Sequence, residues 1–213
     1  MTRVGRLLAC LLVLGMLAAC QEQSPVTRRS STEPTAAPSA PSFPTDDPDL
    51  TRQKKAAGMP DCTAGAPDVP AIADGLPDVT LPCLGGGTPV RLAGLRGTPM
   101  VINVWAQWCG PCRTEAPYLA EVSAELTDRV AFLGVDFADP QAERAIAFAG
   151  DAGWKYPQVA DDARVVQAPL GMVGPPMTVL VDAEGRIVYK HPGVITSSDQ
   201  LRSMINERLG VAG

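Results

Sequence analysis

From Gly58 onward, apolar residues come in short runs separated by turn-forming clusters, and their spacing predicts alternating strands and helices. Val79-Thr80-Leu81 and Val90-Arg91-Leu92 flank Gly85-Gly86-Gly87 and read as a hairpin. Met100 to Trp105 is an apolar run suited to a buried strand. A helix opens near Cys109 and places Leu119, Val122 and Leu126 on one face. Val130 to Val135 forms another buried strand, and Gln141 to Ala149 a helix with Asp139-Pro140 as its start signal. Met177 to Val181 and Arg186 to Tyr189 read as strands joined by Asp182-Ala183-Glu184-Gly185. A last helix runs from Ser198 to Leu209, with Leu201, Met204, Ile205 and Leu209 at helical spacing. The order is a hairpin followed by β-α-β-α-β-β-α. Parallel strands need crossover helices, and two are present. The expected class is α/β: a central mixed β-sheet flanked by helices on both faces, with an N-terminal β-hairpin extension.

Residues before Gly58 break this pattern. Arg3 and Arg6 precede an apolar run from Leu7 to Ala19, too short for a membrane span of about 20 residues. Residues 1–19 therefore read as a signal peptide. The run ends in Leu17-Ala18-Ala19-Cys20, which resembles the lipobox of bacterial lipoproteins, in which the cysteine is acylated. That resemblance implies lipidation at Cys20 and a location in the cell envelope, anchored on the extracytoplasmic side; a plain signal peptide cut near Ala19 is the simpler alternative. Residues 20–57 are rich in Pro, Ser and Thr and poor in large apolar side chains. Such a stretch buries too little surface to offset its ordering entropy, so an extended, mobile tether is expected, with the folded domain at 58–213.

Loss of residues 1–19 removes two arginines and no acid, taking the formal charge from −5 to −7. That balance argues against nucleic acid as a partner.

Export changes the meaning of the cysteines. Of six, Cys10 lies in the discarded segment and Cys20 is the lipid site, which leaves an even four where disulfides persist. Cys109-Gly110-Pro111-Cys112 follows a strand and opens a helix. A thiolate attacks a disulfide, and free N–H groups with the macrodipole at a helix N-terminus favour the anion. Cys109 is the expected attacking sulfur. Cys112, one turn further in, is placed to resolve the mixed disulfide, and Gly110 and Pro111 suit the tight turn between them. A structural bridge closing so short a loop adds little stability. Zinc needs four ligands, and the chain offers only His191 and no second Cys-x-x-Cys. No cofactor or metal is called for.

The motif and its surroundings resemble the thioredoxin superfamily, and in detail its TlpA/ResA-like exported branch. The resemblance covers about residues 68–210 and rests on Val101-Ile102-Asn103-Val104-Trp105-Ala106, on Cys112-Arg113-Thr114-Glu115-Ala116-Pro117, and on Gly174-Pro175-Pro176-Met177-Thr178. It implies a thioredoxin-like fold, a membrane-tethered thiol-disulfide oxidoreductase, and a cis peptide bond before Pro176 beside Cys109, shaping a groove for a substrate strand. The residue before that proline pairs with substrate in the family; here it is Pro175, which has no N–H to donate. A glutamate at the Glu115 spacing tunes proton transfer in ResA-like proteins. Thioredoxin uses an aspartate on the preceding strand, where this chain has Asn103. Glu115 is thus the expected proton acceptor from Cys112, against the alternative of a first-turn acid favoured by the helix dipole. Pro117 matches a helix kink, Trp105 reads as core, Trp108 as a partner contact, and His191 as structural.

Cys62 and Cys83 read as a structural disulfide pinning the segment after the tether to the hairpin, with a second redox relay as the minor alternative. The leading function is a reductant of exported protein disulfides, with apocytochrome c among the substrates the resemblance implies and a membrane thiol carrier of the CcdA/DsbD type as electron donor. A disulfide-introducing oxidase is the runner-up, since the fold serves both directions. A copper metallochaperone ranks lower, because the single histidine is far from the dithiol in sequence, and no Pro-Thr-Cys peroxidase setting occurs.

Overall fold

The computed structural model describes residues 47–212; the expected signal peptide, the lipid site Cys20 and most of the expected tether lie outside the described residues. Helix α1 (Pro48–Ala56) is followed by the two-stranded hairpin β1 (Thr80–Leu81) and β2 (Val90–Arg91), then β3 (Met100–Trp105), α2 (Gly110–Glu125), β4 (Ala131–Phe137), α3 (Ala142–Asp151), β5 (Gln158–Asp161), α4 (Gln167–Leu170), β6 (Met177–Val181), β7 (Ile187–Pro192) and α5 (Ser198–Leu209). The main sheet has the order β5-β4-β3-β6-β7. β3 runs parallel to β4 and β4 parallel to β5, while β6 is antiparallel to both β3 and β7. This is the thioredoxin-like α/β arrangement, with the hairpin as an N-terminal extension.

The sheet separates two apolar layers. On one side Val101, Trp105 and Phe132 pack against α2, α3 and α5 through Leu119, Val122, Ile146, Phe148, Leu201 and Ile205. On the other, Ile102, Val104, Leu133, Val135 and Val179 meet the hairpin and Leu170 of α4. The two sets alternate along β3, as a strand buried on both faces requires. Trp105 centres the first layer, its ring 5.0 Å from Trp154 and 5.2 Å from Phe148. Gly134 on β4 makes room for it: a Cβ there would fall 1.7 Å from Gln158 Oε1 and 2.8 Å from Trp105 Nε1.

Besides the short helix α4, which the sequence reading lacked, two elements depart from it. Residues 48–56 form a helix, although the expected tether runs to residue 57. Asp47 caps it by accepting the N–H of Asp49 at 2.8 Å, and one face carries the buried Leu50 and Lys54. Two inward side chains suffice because the rest of the helix faces water, so low apolar content did not prevent docking. The second is β5, which sequence reading lacked. It is the parallel partner that the β4–α3 crossover leads to, whereas β6 returns antiparallel on the far side of β3.

Candidate active site

Helix α2 starts where β3 ends. Cys109 is its N-cap with extended backbone (φ −83°, ψ 108°), and its Sγ accepts the N–H of Cys112 at 3.2 Å. Gly110 and Pro111 occupy the first turn, where an N–H has no helical partner and proline is tolerated. A Cβ built on Gly110 meets nothing within 4 Å, so the approach above it is open. Cys109 and Cys112 are joined as a disulfide with Cα atoms 5.3 Å apart. Cys109 is 4% exposed and Cys112 fully buried. An incoming sulfur therefore meets Cys109 first, and that contact is narrow.

The turn before the helix is held from three sides. Gln107 donates its N–H to Asp139 Oδ2 at 3.1 Å, and Arg113 reaches back to the Gln107 carbonyl. Trp108 donates its indole N–H to the Ala138 carbonyl at 3.3 Å while leaving 52% of its surface exposed beside Cys109. Trp105 is completely buried. The Pro175–Pro176 bond is cis. Met177 pairs with Val104, so Pro176 continues the register toward the end of β3 that leads to Cys109. Pro117 lies inside α2, and the half-buried His191 sits on β7 stacked on Tyr189.

Glu115 follows Cys112 by one turn on the buried face of α2 and is fully buried. Asn103 Nδ2 donates to its Oε1 at 2.8 Å and the Ile195 N–H to its Oε2 at 2.9 Å. Burial pushes its carboxyl up from 4.5 to about 7, with both hydrogen bonds pulling the other way. A carboxyl poised near neutrality exchanges protons readily at physiological pH. The Asn103 Oδ1 has no partner, so rotation of this amide presents an acceptor when Glu115 holds a proton. Asn103 is thus matched to both states of Glu115, which its inability to titrate concealed in the sequence.

Asp136 was not singled out by sequence reading. It is the residue of β4 opposite Trp105, it is buried, and neither carboxylate oxygen has a partner. Burial pushes its carboxyl well above the usual range, and the nearby Asp139 and Asp162 push in the same direction. The signal was an acid inside the apolar run Phe132-Leu133-Gly134-Val135-Asp136-Phe137. Cys62 and Cys83 also form a disulfide, with Cα atoms 5.9 Å apart. It joins the loop after α1 to the segment after β1.

Known proteins are similar to this chain in sequence and in fold. Residues 71–205 match the Redoxin family. A thiol:disulfide interchange protein DsbE homolog of Paracoccus denitrificans is 36% identical over 108 residues, covering 50% of this chain and 58% of the relative. The thioredoxin-like protein YneN of Bacillus subtilis is 30% identical over 125 residues, covering 58% of this chain and 72% of the relative. The structure of MTB dsbF in its mixed oxidized and reduced forms superposes with a TM-score of 0.57 at 29% identity, covering 65% of this chain and 98% of that one. The chain spans about half the length of the DsbE relatives it matches.

Proposed function

This chain belongs to the Redoxin family, and from that premise we propose that it is a thiol-disulfide oxidoreductase working through Cys109 and Cys112. The observation that carries the proposal is the pairing of a slightly exposed sulfur at a helix N-cap with a buried sulfur one turn inside. In the reduced protein the Cys109 thiolate, held by the Cys112 N–H and the helix end, attacks one sulfur of a substrate disulfide. A mixed disulfide forms and one substrate thiolate leaves. Cys112 then passes its proton to Glu115 and attacks Cys109, which releases the second substrate thiolate and closes the Cys109–Cys112 bond. Two electrons pass from the dithiol to the substrate.

Exported protein disulfides are the substrate class, with apocytochrome c among the candidates, since relatives of this chain are named thiol:disulfide interchange proteins. Reduction is the proposed direction, on the Gly110-Pro111 spacer that resembles thioredoxin. A membrane thiol carrier of the CcdA/DsbD type would return electrons, and acylation at Cys20 would hold the chain on the outer side of the membrane. The exposed Trp108 and the cis Pro175–Pro176 turn form the substrate groove in this reading. Pro175 contributes a carbonyl and no N–H, so Pro175→Thr is expected to tighten peptide binding; equal affinity refutes one-sided pairing.

The test is reductive cleavage of insulin by the dithiol form, with trapping of mixed disulfides on a Cys112→Ala variant. Turnover lost in Cys109→Ala and adducts formed through Cys109 are expected. Turnover that survives Cys109→Ala sinks the proposal. The potential of the pair decides direction: a value at the thioredoxin end supports the reductant, and one at the DsbA end supports the oxidase.

A further inference from the structure

Among the described residues Lys54 is the only buried cation, with 4% of its surface exposed. Its ammonium donates to the Gly86 carbonyl at 2.8 Å and to Asp61 Oδ1 at 2.8 Å, and it lies 3.3 Å from Cys83 Sγ. The Asp61 side chain is 88% exposed, so water screens that pair. Gly86 is neutral. The buried partners of this charge are that neutral carbonyl and one sulfur of the Cys62–Cys83 disulfide.

A closed disulfide offers a cation little: its sulfur is a weak, neutral acceptor, and a buried ammonium needs more to offset its lost hydration. The same atom as a thiolate is a buried anion, where Asp61 supplies only an exposed one. A neighbouring lysine lowers a thiol pKa, and a stabler thiolate leaves faster in exchange. The other sulfur is matched in the opposite sense. Cys62 Sγ sits 3.3 Å from the Gln158 carbonyl, an acceptor that suits a protonated thiol and no thiolate. Partners for both reduced sulfurs are therefore already in place while the bond is closed. Access is comparable to that of the catalytic sulfur: Cys62 is 6% exposed and Cys109 4%. Cys62 lies between exposed Asp61 and Thr63 in a segment with no helix or strand, where local opening costs least.

We propose that Cys62–Cys83 is a second thiol-exchange site, at which a reduced dithiol attacks Cys62 and Cys83 departs as a thiolate held by Lys54. The attacking thiolate forms a mixed disulfide with Cys62 as the Cys62–Cys83 bond breaks, and the electron pair stays on Cys83. The second thiol of the attacker gives up its proton and closes the attacker's own disulfide. Cys62 leaves as a thiol, taking up that proton and facing Gln158. The dithiol is oxidised by two electrons and this chain reduced by two. The Lys54–Cys83 ion pair then keeps α1 on the glycine turn after the covalent link has opened, so the site reopens and recloses without loss of the fold.

The experiment uses the full chain carrying Cys109→Ala and Cys112→Ala, so that its outcome is independent of the first dithiol. Reduction by dithiothreitol is followed by quenched alkylation and mass spectrometry, with and without Lys54→Met. Opening about tenfold faster with Lys54 present is expected from the stabilised leaving group. After reduction, the pH midpoint for iodoacetamide labelling of Cys83 should fall at least one unit below the ordinary thiol value of about 8.5. Equal rates, a Cys83 midpoint at or above the ordinary value, or opening that occurs only together with loss of helical circular dichroism overturns the proposal. If Lys54→Met does not fold, the Cys83 midpoint in the Lys54 protein decides.

Discussion

Replacing Glu115 by Gln isolates the buried carboxyl beneath the dithiol. Its ordinary value of 4.5 rises to about 7 in the fold. At about 1.4 kcal/mol per pH unit, this amounts to roughly 3 kcal/mol of pH-dependent stability. The sign follows from which state binds the proton more tightly. A folded value above the unfolded one means the native state retains the proton longer. The contribution is complete below pH 4.5 and is lost as pH rises to about 7. Glu115→Gln has no proton to exchange there and should not show that fall. Gln fits the site, because Asn103 can turn its unpartnered Oδ1 toward the new amide N–H. Urea unfolding of the oxidised proteins between about pH 4.5 and 8.5, at fixed ionic strength, measures the difference. Asp136 and Asp161 are also pushed up by burial and impose falls of the same sign. They are common to both proteins, so the difference reports Glu115 alone. A stability difference that stays constant across that range refutes the assignment. In the reduced proteins, Glu115→Gln should also remove a pH-dependent component from Cys112 alkylation; an unchanged profile separates a structural carboxyl from a proton acceptor.

Three further perturbations test other parts of the structure. Asp136→Asn should leave stability unchanged in acid and raise it above neutral pH, because it removes a buried acid whose oxygens have no partners; urea midpoints at pH 4 and pH 9 check this, and a loss at both pH values refutes it. Gly134→Ala drives a methyl into Gln158 and breaks the 2.9 Å Trp105–Gln158 hydrogen bond, at an expected cost of about 2–4 kcal/mol; denaturation followed by tryptophan fluorescence measures it. Cys62→Ala with Cys83→Ala removes a cross-link spanning 21 residues, for a loss of about 3 kcal/mol in the chain-entropy model, with faster amide exchange confined to α1 and the following loop.

Elements whose signals are local were legible from the residues alone. Met100–Trp105 reads as strand because it is apolar on both faces, and the structure places it at the centre of the sheet. Ser198–Leu209 carries its own boundaries: Ser197 caps its start and Gly210 ends it with φ 67°. The active-site segment was legible for the same reason, since a Cys-x-x-Cys at a strand-to-helix junction encodes its geometry within a few residues. Tertiary structure decided what depends on distant partners. Gln158–Asp161 is a strand because β4 offers an open parallel edge, and four residues with polar ends carry no pattern of their own. Helix α1 reads as tether because its composition is polar, yet Lys54 is buried against Gly86 and Cys83, both remote from it in the chain. The values of Glu115 and Asp136 belong to the same class. Desolvation is set by everything packed around a carboxyl, and no stretch of sequence contains that shell.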